Sequence, residues 1–177
     1  MDLTQDHFSL FGLPAGYELD REALEARFRE LQRAVHPDRF ASASDQERRL
    51  AMQKAAQVNE AYRVLRDPLA RARYLLELRG HAFDDERSTH QDPEFLMEQM
   101  ELREALGEVR EQSDPLGALD GLMRRIQARL DALETELAAV LADAQATDAA
   151  AELVQRMQFF RKLEQEAEAL ETALDEY

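Results

Sequence analysis

The sequence predicts an all-α protein in two parts: an N-terminal antiparallel helical hairpin with short flanking helices, and a C-terminal three-helix bundle. Three observations carry this. The 177 residues include only 6 Gly and 5 Pro, which leaves room for long uninterrupted helices. Apolar residues recur at three- and four-residue intervals along several stretches, and no stretch alternates as a strand would. The charge is also divided. Residues 1–80 hold 13 basic and 13 acidic side chains, whereas 81–177 hold 9 basic and 24 acidic, so the whole net charge of −15 lies in the second half.

The elements follow in order. Phe8-Ser9-Leu10-Phe11-Gly12-Leu13-Pro14 reads as a short apolar turn. Asp20 can cap a helix from Arg21 to about His36. Its apolar face is Leu24, Phe28, Leu31 and Val35, and its exposed face carries Arg27, Arg29 and Arg33. Pro37 stops it, because a proline disfavours helical geometry at the residue before it. After a loop from His36 to Ala43, Ser44 or Asp45 can cap a second helix reaching Arg66, with Ala51, Ala55, Val58, Tyr62 and Leu65 as its apolar stripe. Asp67-Pro68 ends that helix and starts a shorter one, Leu69 to Arg79, stopped by Gly80.

Residues 81–91 have no helical period and read as a linker between a first domain, 1–80, and a second, 92–177. Asp92-Pro93 is an N-cap followed by a first helical position, for a helix running to about Gln112. Beyond Ser113-Asp114-Pro115, the residues Leu119, Ile126, Leu130, Leu133, Leu137 and Val140 form a heptad seam. A turn over Asp143–Asp148 leads to the last helix, about Ala149 to Asp175, with Leu153, Met157, Phe160, Leu163, Ala167, Leu170 and Leu174 on its inner face.

Several functions are excluded early. With no cysteine there is no disulfide, no thiolate metal ligand and no cysteine nucleophile. The acidic balance argues against nucleic acid and anionic membranes, both polyanions. The acidic start lacks the features of a secretory or transit peptide, and no apolar run approaches the roughly 18 residues of a membrane span, so a cytoplasmic protein is expected. There is no H-E-x-x-H and no phosphate loop. His7, His81 and His90 read as surface histidines, and no metal, cofactor or catalytic residue is expected.

The most informative tripeptide is His36-Pro37-Asp38, between the two long helices. Alone it is an ordinary helix stop. Its context is an Arg-bearing helix before it and a helix ending Val58-Asn59-Glu60-Ala61-Tyr62-Arg63-Val64-Leu65-Arg66-Asp67-Pro68 after it. In that context residues from about 7 to 80 resemble a J domain, the module by which DnaJ-type co-chaperones act on DnaK-class chaperones. Tyr17, Leu31, Asn59, Ala61, Tyr62, Leu65, Asp67-Pro68, Arg71 and Tyr74 also match. The resemblance implies that His36, Pro37 and Asp38 stimulate ATP hydrolysis by the partner chaperone, and that Arg27, Arg29 and Arg33 meet an acidic surface on it. Arg39 keeps the charge of the Lys often found after the tripeptide, and Glu30 interrupts the basic face.

The stretch Asp92–Glu108 has two apolar faces at roughly 100° per residue. Phe95, Leu102, Leu106 and Val109 form one stripe. Leu96, Met97 and Met100 lie on the other side among Glu101, Glu104 and Glu108, as either a second packing surface or a partner site. The sequence Phe95-Leu96-Met97-Glu98-Gln99-Met100-Glu101-Leu102-Arg103-Glu104 resembles the HscB family, J-type co-chaperones of iron–sulfur cluster assembly. The likeness extends over nearly the whole chain, through the Phe8–Pro14 opening, His36–Ala41, Arg71–Leu76 and, more loosely, Arg156–Leu163. It implies that the bundle binds an IscU-type scaffold protein through Leu96, Met97, Met100, Glu101, Glu104, Glu108 and Phe159, and that the J domain docks on an HscA-type chaperone. Phe159 also lies at the edge of its helix's core stripe. Met100 stands where many relatives have Leu. Some eukaryotic relatives carry an N-terminal cysteine-based metal module, so the cysteine-free chain resembles the bacterial form. Against the family's pattern Thr4-Gln5-Asp6-His7 looks like a short insertion, with no role. The expected state is a monomer, with a dimer as the alternative. Two other readings are a J-domain co-chaperone for a different client and a structural coiled-coil protein built on the heptad seam.

Overall fold

A computed structural model of the chain describes residues 4–40, 42–83 and 92–175, and all regular structure among them is helical. The chain divides into two compact units, Met1–His81 and Ala82–Tyr177. Most of the stretch read as a linker, residues 84–91 with His90, lies outside the described residues.

The first unit opens with a helix, not a turn: α1, His7–Phe11. Asp6 caps it by accepting a hydrogen bond from the Ser9 N–H at 3.0 Å, and Gly12 ends it in the left-handed conformation at φ 66°. The Thr4–His7 segment, read as an insertion without a role, therefore supplies the N-cap and the first helical residue. Five residues are too few to show a period, and burial of Phe8, Leu10 and Phe11 holds the helix instead.

Helix α2, Arg21–Val35, is capped by Asp20, whose carboxylate accepts from the Ala23 N–H at 3.0 Å. It stops at Val35 because His36, preceding Pro37, is extended at ψ 133°. Helix α3, Asp45–Arg66, starts from Ser44 with a full capping box to Glu47. The two helices run antiparallel, since contact positions fall on one as they rise on the other. Phe28 stacks on Tyr62 with ring centroids 3.9 Å apart, and Gln32 donates to Asn59 at 3.3 Å. The buried face of α3 is Ala51, Val58, Ala61, Val64 and Leu65, while Ala55 and Tyr62 are only half-buried. Asp67 closes α3 and caps α4, Pro68–Leu78, with proline at the first position.

In the second unit, α5 spans Pro93–Glu108 and ends in a 3-10 turn, Val109–Glu111; α6 spans Pro115–Leu141 and α7 spans Thr147–Asp175. Each of Asp92 and Asp114 caps the helix that its following proline begins. The buried stripe of α6 is Leu119, Leu122, Ile126, Leu130, Leu133, Leu137 and Leu141. It ends on Leu141 instead of Val140, which is half-buried. The stripe thus follows the 3.6-residue period of a straight helix packed inside a domain, not a strict heptad. α7 begins two residues earlier than expected and buries Ala150, Leu153, Val154, Met157, Phe160, Leu163 and Ala167 against α6; Leu170 and Leu174 are half-buried. α5 closes the bundle through Phe95, Leu102 and Val109. Among the described residues no helix is long and apolar enough to cross a membrane.

Candidate functional site

The bend between α2 and α3 presents the tripeptide. Its backbone forms a 3-10 turn over Pro37–Phe40, closed by the Arg39 N–H donating to the His36 carbonyl at 3.0 Å. The Asp38 N–H donates to His36 Nδ1 at 3.3 Å. The Asp38 carboxylate lies 3.5 Å from the same nitrogen, and both side chains are exposed. Both side chains remain open to a partner.

The basic residues of α2 do not share one patch. Arg29 and Arg33, four positions apart, lie on one stripe. Arg29 faces Glu25 at 3.8 Å, and the Arg33 carbonyl accepts from the Arg39 guanidinium at 3.5 Å. Arg27 points elsewhere: its Nε donates to the Phe11 carbonyl at 3.2 Å, and it pairs with Glu30 at 2.6 Å. Arg27 thereby ties α2 to the end of α1, although about half of its side chain remains exposed.

The burial of two groups in this unit escaped the sequence reading. Arg71 is buried. It donates to the Tyr17 carbonyl at 2.7 Å and the Leu65 carbonyl at 2.6 Å, with its guanidinium 5.0 Å from the Tyr17 ring centroid. His7, expected at the surface, is half-buried and stacks on Tyr74 with centroids 4.2 Å apart, while its backbone N–H donates to the Tyr74 hydroxyl at 3.0 Å. Burial holds the His7 imidazole below its ordinary pKa and pushes the Tyr74 phenol above its own. A single histidine after an acidic start carries no pattern that would have announced this.

In the second unit, Leu96, Met97 and Met100 are 42, 63 and 71% exposed, beside exposed Glu101, Glu104 and Glu108. α5 is held from beneath by Phe95, which meets Phe159 edge-on at 5.7 Å and Phe160 at 6.2 Å. Two ion pairs brace its start, Arg156–Asp92 at 2.8 Å and Arg129–Glu98 at 2.7 Å. Beside them lies an open cavity of about 400 Å³, bordered by Phe95, Met97 and Glu101. Phe159 is half-buried. It packs edge-on against Phe160 at 5.3 Å, and the Arg103 guanidinium lies 5.5 Å from its ring centroid. It therefore supports the face as a packing residue with one side at the surface. No group of three or more His, Cys, Asp or Glu among the described residues could hold a metal ion.

Comparisons with known proteins agree with both halves. Residues 6–74 match the model of the DnaJ domain, and residues 91–168 match the HSCB C-terminal oligomerisation domain. A co-chaperone protein HscB homolog from Vibrio atlanticus is 46% identical over 173 residues, covering 96% of this chain and 98% of that protein. The chaperone HscB from Vibrio cholerae has a solved structure with TM-score 0.86 and 44% identity, covering 96% of this chain and 99% of that one. The crystal structure of human co-chaperone protein HscB superposes with TM-score 0.88 at 29% identity, covering 96% of this chain and 83% of that one.

A helical hairpin with His-Pro-Asp at its bend, joined to a helical second unit, defines the class: a J-domain co-chaperone, which works through a partner and is not itself an enzyme. The full-length similarity narrows it. The chain belongs to the HscB family.

Proposed function

We propose that this chain binds an IscU-type iron–sulfur scaffold protein on the outer face of α5, delivers it to an HscA-type chaperone of the DnaK class, and stimulates that chaperone's ATPase. The observation that carries this reading is the exposed, carboxylate-rimmed apolar face Leu96, Met97 and Met100, in a unit whose buried core is made by other residues. Methionines suit an adaptable protein-binding surface. Glu101, Glu104 and Glu108 would give the contact its orientation, and Phe159 would back it. His36, Pro37 and Asp38 couple docking to hydrolysis, with Arg29, Arg33 and Arg39 as the basic flank and Arg27 contributing from its tied position.

In this reading residues 1–80 are the J domain, 81–91 the linker and 92–177 the client-binding bundle, acting in the cytoplasm as a monomer. Holding scaffold and chaperone on one chain raises the client's effective concentration at the chaperone. The experiment has two arms. The chain is titrated with purified scaffold protein, and ATP turnover by the chaperone is followed with and without it. Wild type is expected to do both, and His36→Gln to bind the scaffold normally while failing to stimulate. Retained stimulation by His36→Gln would remove the coupling role. A chain that stimulates without binding the scaffold would serve a different client.

A further inference from the structure

We propose that Met97 and Met100 are a reversible oxidation site through which peroxide-class oxidants switch off client binding. This rests on the client-surface reading above. The two methionines are 63 and 71% exposed, three residues apart on one side of α5, whereas Met157 in the core is fully buried. The chain has no cysteine, so no thiol of its own intercepts the oxidant or complicates the response. Hydrogen peroxide transfers one oxygen to the sulfur: the O–O bond breaks, the sulfide gives up two electrons, the S–O bond forms and the second oxygen leaves as water. A dithiol-dependent methionine sulfoxide reductase reverses it, forming a disulfide and water.

The position makes the change costly to binding. A sulfoxide oxygen is a strong acceptor that needs a donor when buried. Glu101 and Glu104 stand four positions after Met97 and Met100, on the same side of the helix. Carboxylates are acceptors only, so they cannot satisfy the new oxygens and repel them instead. A client packing onto the oxidised face would bury two unsatisfied groups. The free chain keeps its fold, because neither methionine belongs to the core.

The test treats the purified full-length chain alone with hydrogen peroxide, removes the oxidant with catalase, locates the added oxygen by peptide mass spectrometry, and titrates with untreated scaffold protein. Met52, 68% exposed on α3, serves as an internal control. The expected result is oxygen on Met52, Met97 and Met100 but not Met157, an unchanged melting temperature, and a scaffold Kd raised by about tenfold or more. Methionine sulfoxide reductase with a dithiol restores it. Met52→Leu keeps the full response, whereas in Met97→Leu with Met100→Leu treated and untreated protein bind alike, whatever the variant's own affinity. Unchanged affinity with both methionines fully oxidised overturns the proposal, as does peroxide that spares them, or an affinity loss that tracks a fall in melting temperature. An untreated chain that does not bind the scaffold removes the client reading itself, a distinguishable outcome.

Discussion

Arg71 carries a guanidinium cation, and it sits inside the first unit with two backbone carbonyls in place of water. Its geometry joins three places distant in sequence: the loop at Tyr17, the end of α3 at Leu65, and its own helix. Arg71→Met should cost roughly 2–3 kcal/mol, the worth of hydrogen bonds to a charged group plus the carbonyls left behind. Arg71→Lys should recover only part, since an ammonium cannot span both acceptors as a planar fork does. Urea denaturation measures both. His7 makes the second prediction at this scale. Its folded pKa lies below the ordinary value of about 6.5 because burial disfavours the charged ring. The stability it contributes is therefore complete above that value and is lost as the pH falls through the folded pKa. Thermal melts between pH 7.5 and 5 should show wild type losing stability that His7→Phe, which keeps the stack on Tyr74, does not lose.

At the scale of elements, the helices were legible wherever a cap and a period coincided. Asp20 and Asp92 each cap the helix their position suggests, because a capping carboxylate beside a proline or an apolar period is a local signal. What was not legible is what depends on distance. The α1 helix was missed since its stability comes from tertiary burial. The seam of α6 ended one residue away from expectation because the helix packs within a domain and not in a supercoil. Arg27 looked like a surface cation and is partly a tie to Phe11, which no spacing rule reveals. In α5 both faces were legible, one now buried and the other exposed. Met97→Ala with Met100→Ala should cost about 1–3 kcal/mol of scaffold affinity and leave the melting temperature within error, by calorimetric titration and melting on the same samples. Asp92→Ala should behave oppositely. Losing the cap costs the bundle about 1 kcal/mol, seen as a lower melting temperature with the client contacts intact.

Across the whole molecule, charge is the organising quantity. The first unit is balanced and carries basic residues beside its tripeptide, and the second holds the whole acidic excess. Docking of Arg29, Arg33 and Arg39 on an acidic chaperone surface should weaken as ionic strength rises from low to physiological salt. An affinity for the chaperone that ignores salt would mean the contact is made by the tripeptide alone.

The aromatic stacks carry a consequence for anyone following this protein by light. There is no tryptophan, and of the 4 tyrosines three, Tyr17, Tyr62 and Tyr74, are packed in the first unit. The second unit's cluster is built from Phe95, Phe159 and Phe160, and its tyrosine is the chain's last residue. Tyrosine emission is thus a natural label for the J-domain half, while far-ultraviolet dichroism sums over all helices. Where the two signals melt at different temperatures, the emission curve of a Tyr177→Phe variant reports the half that carries His36, with no dye needed to separate it.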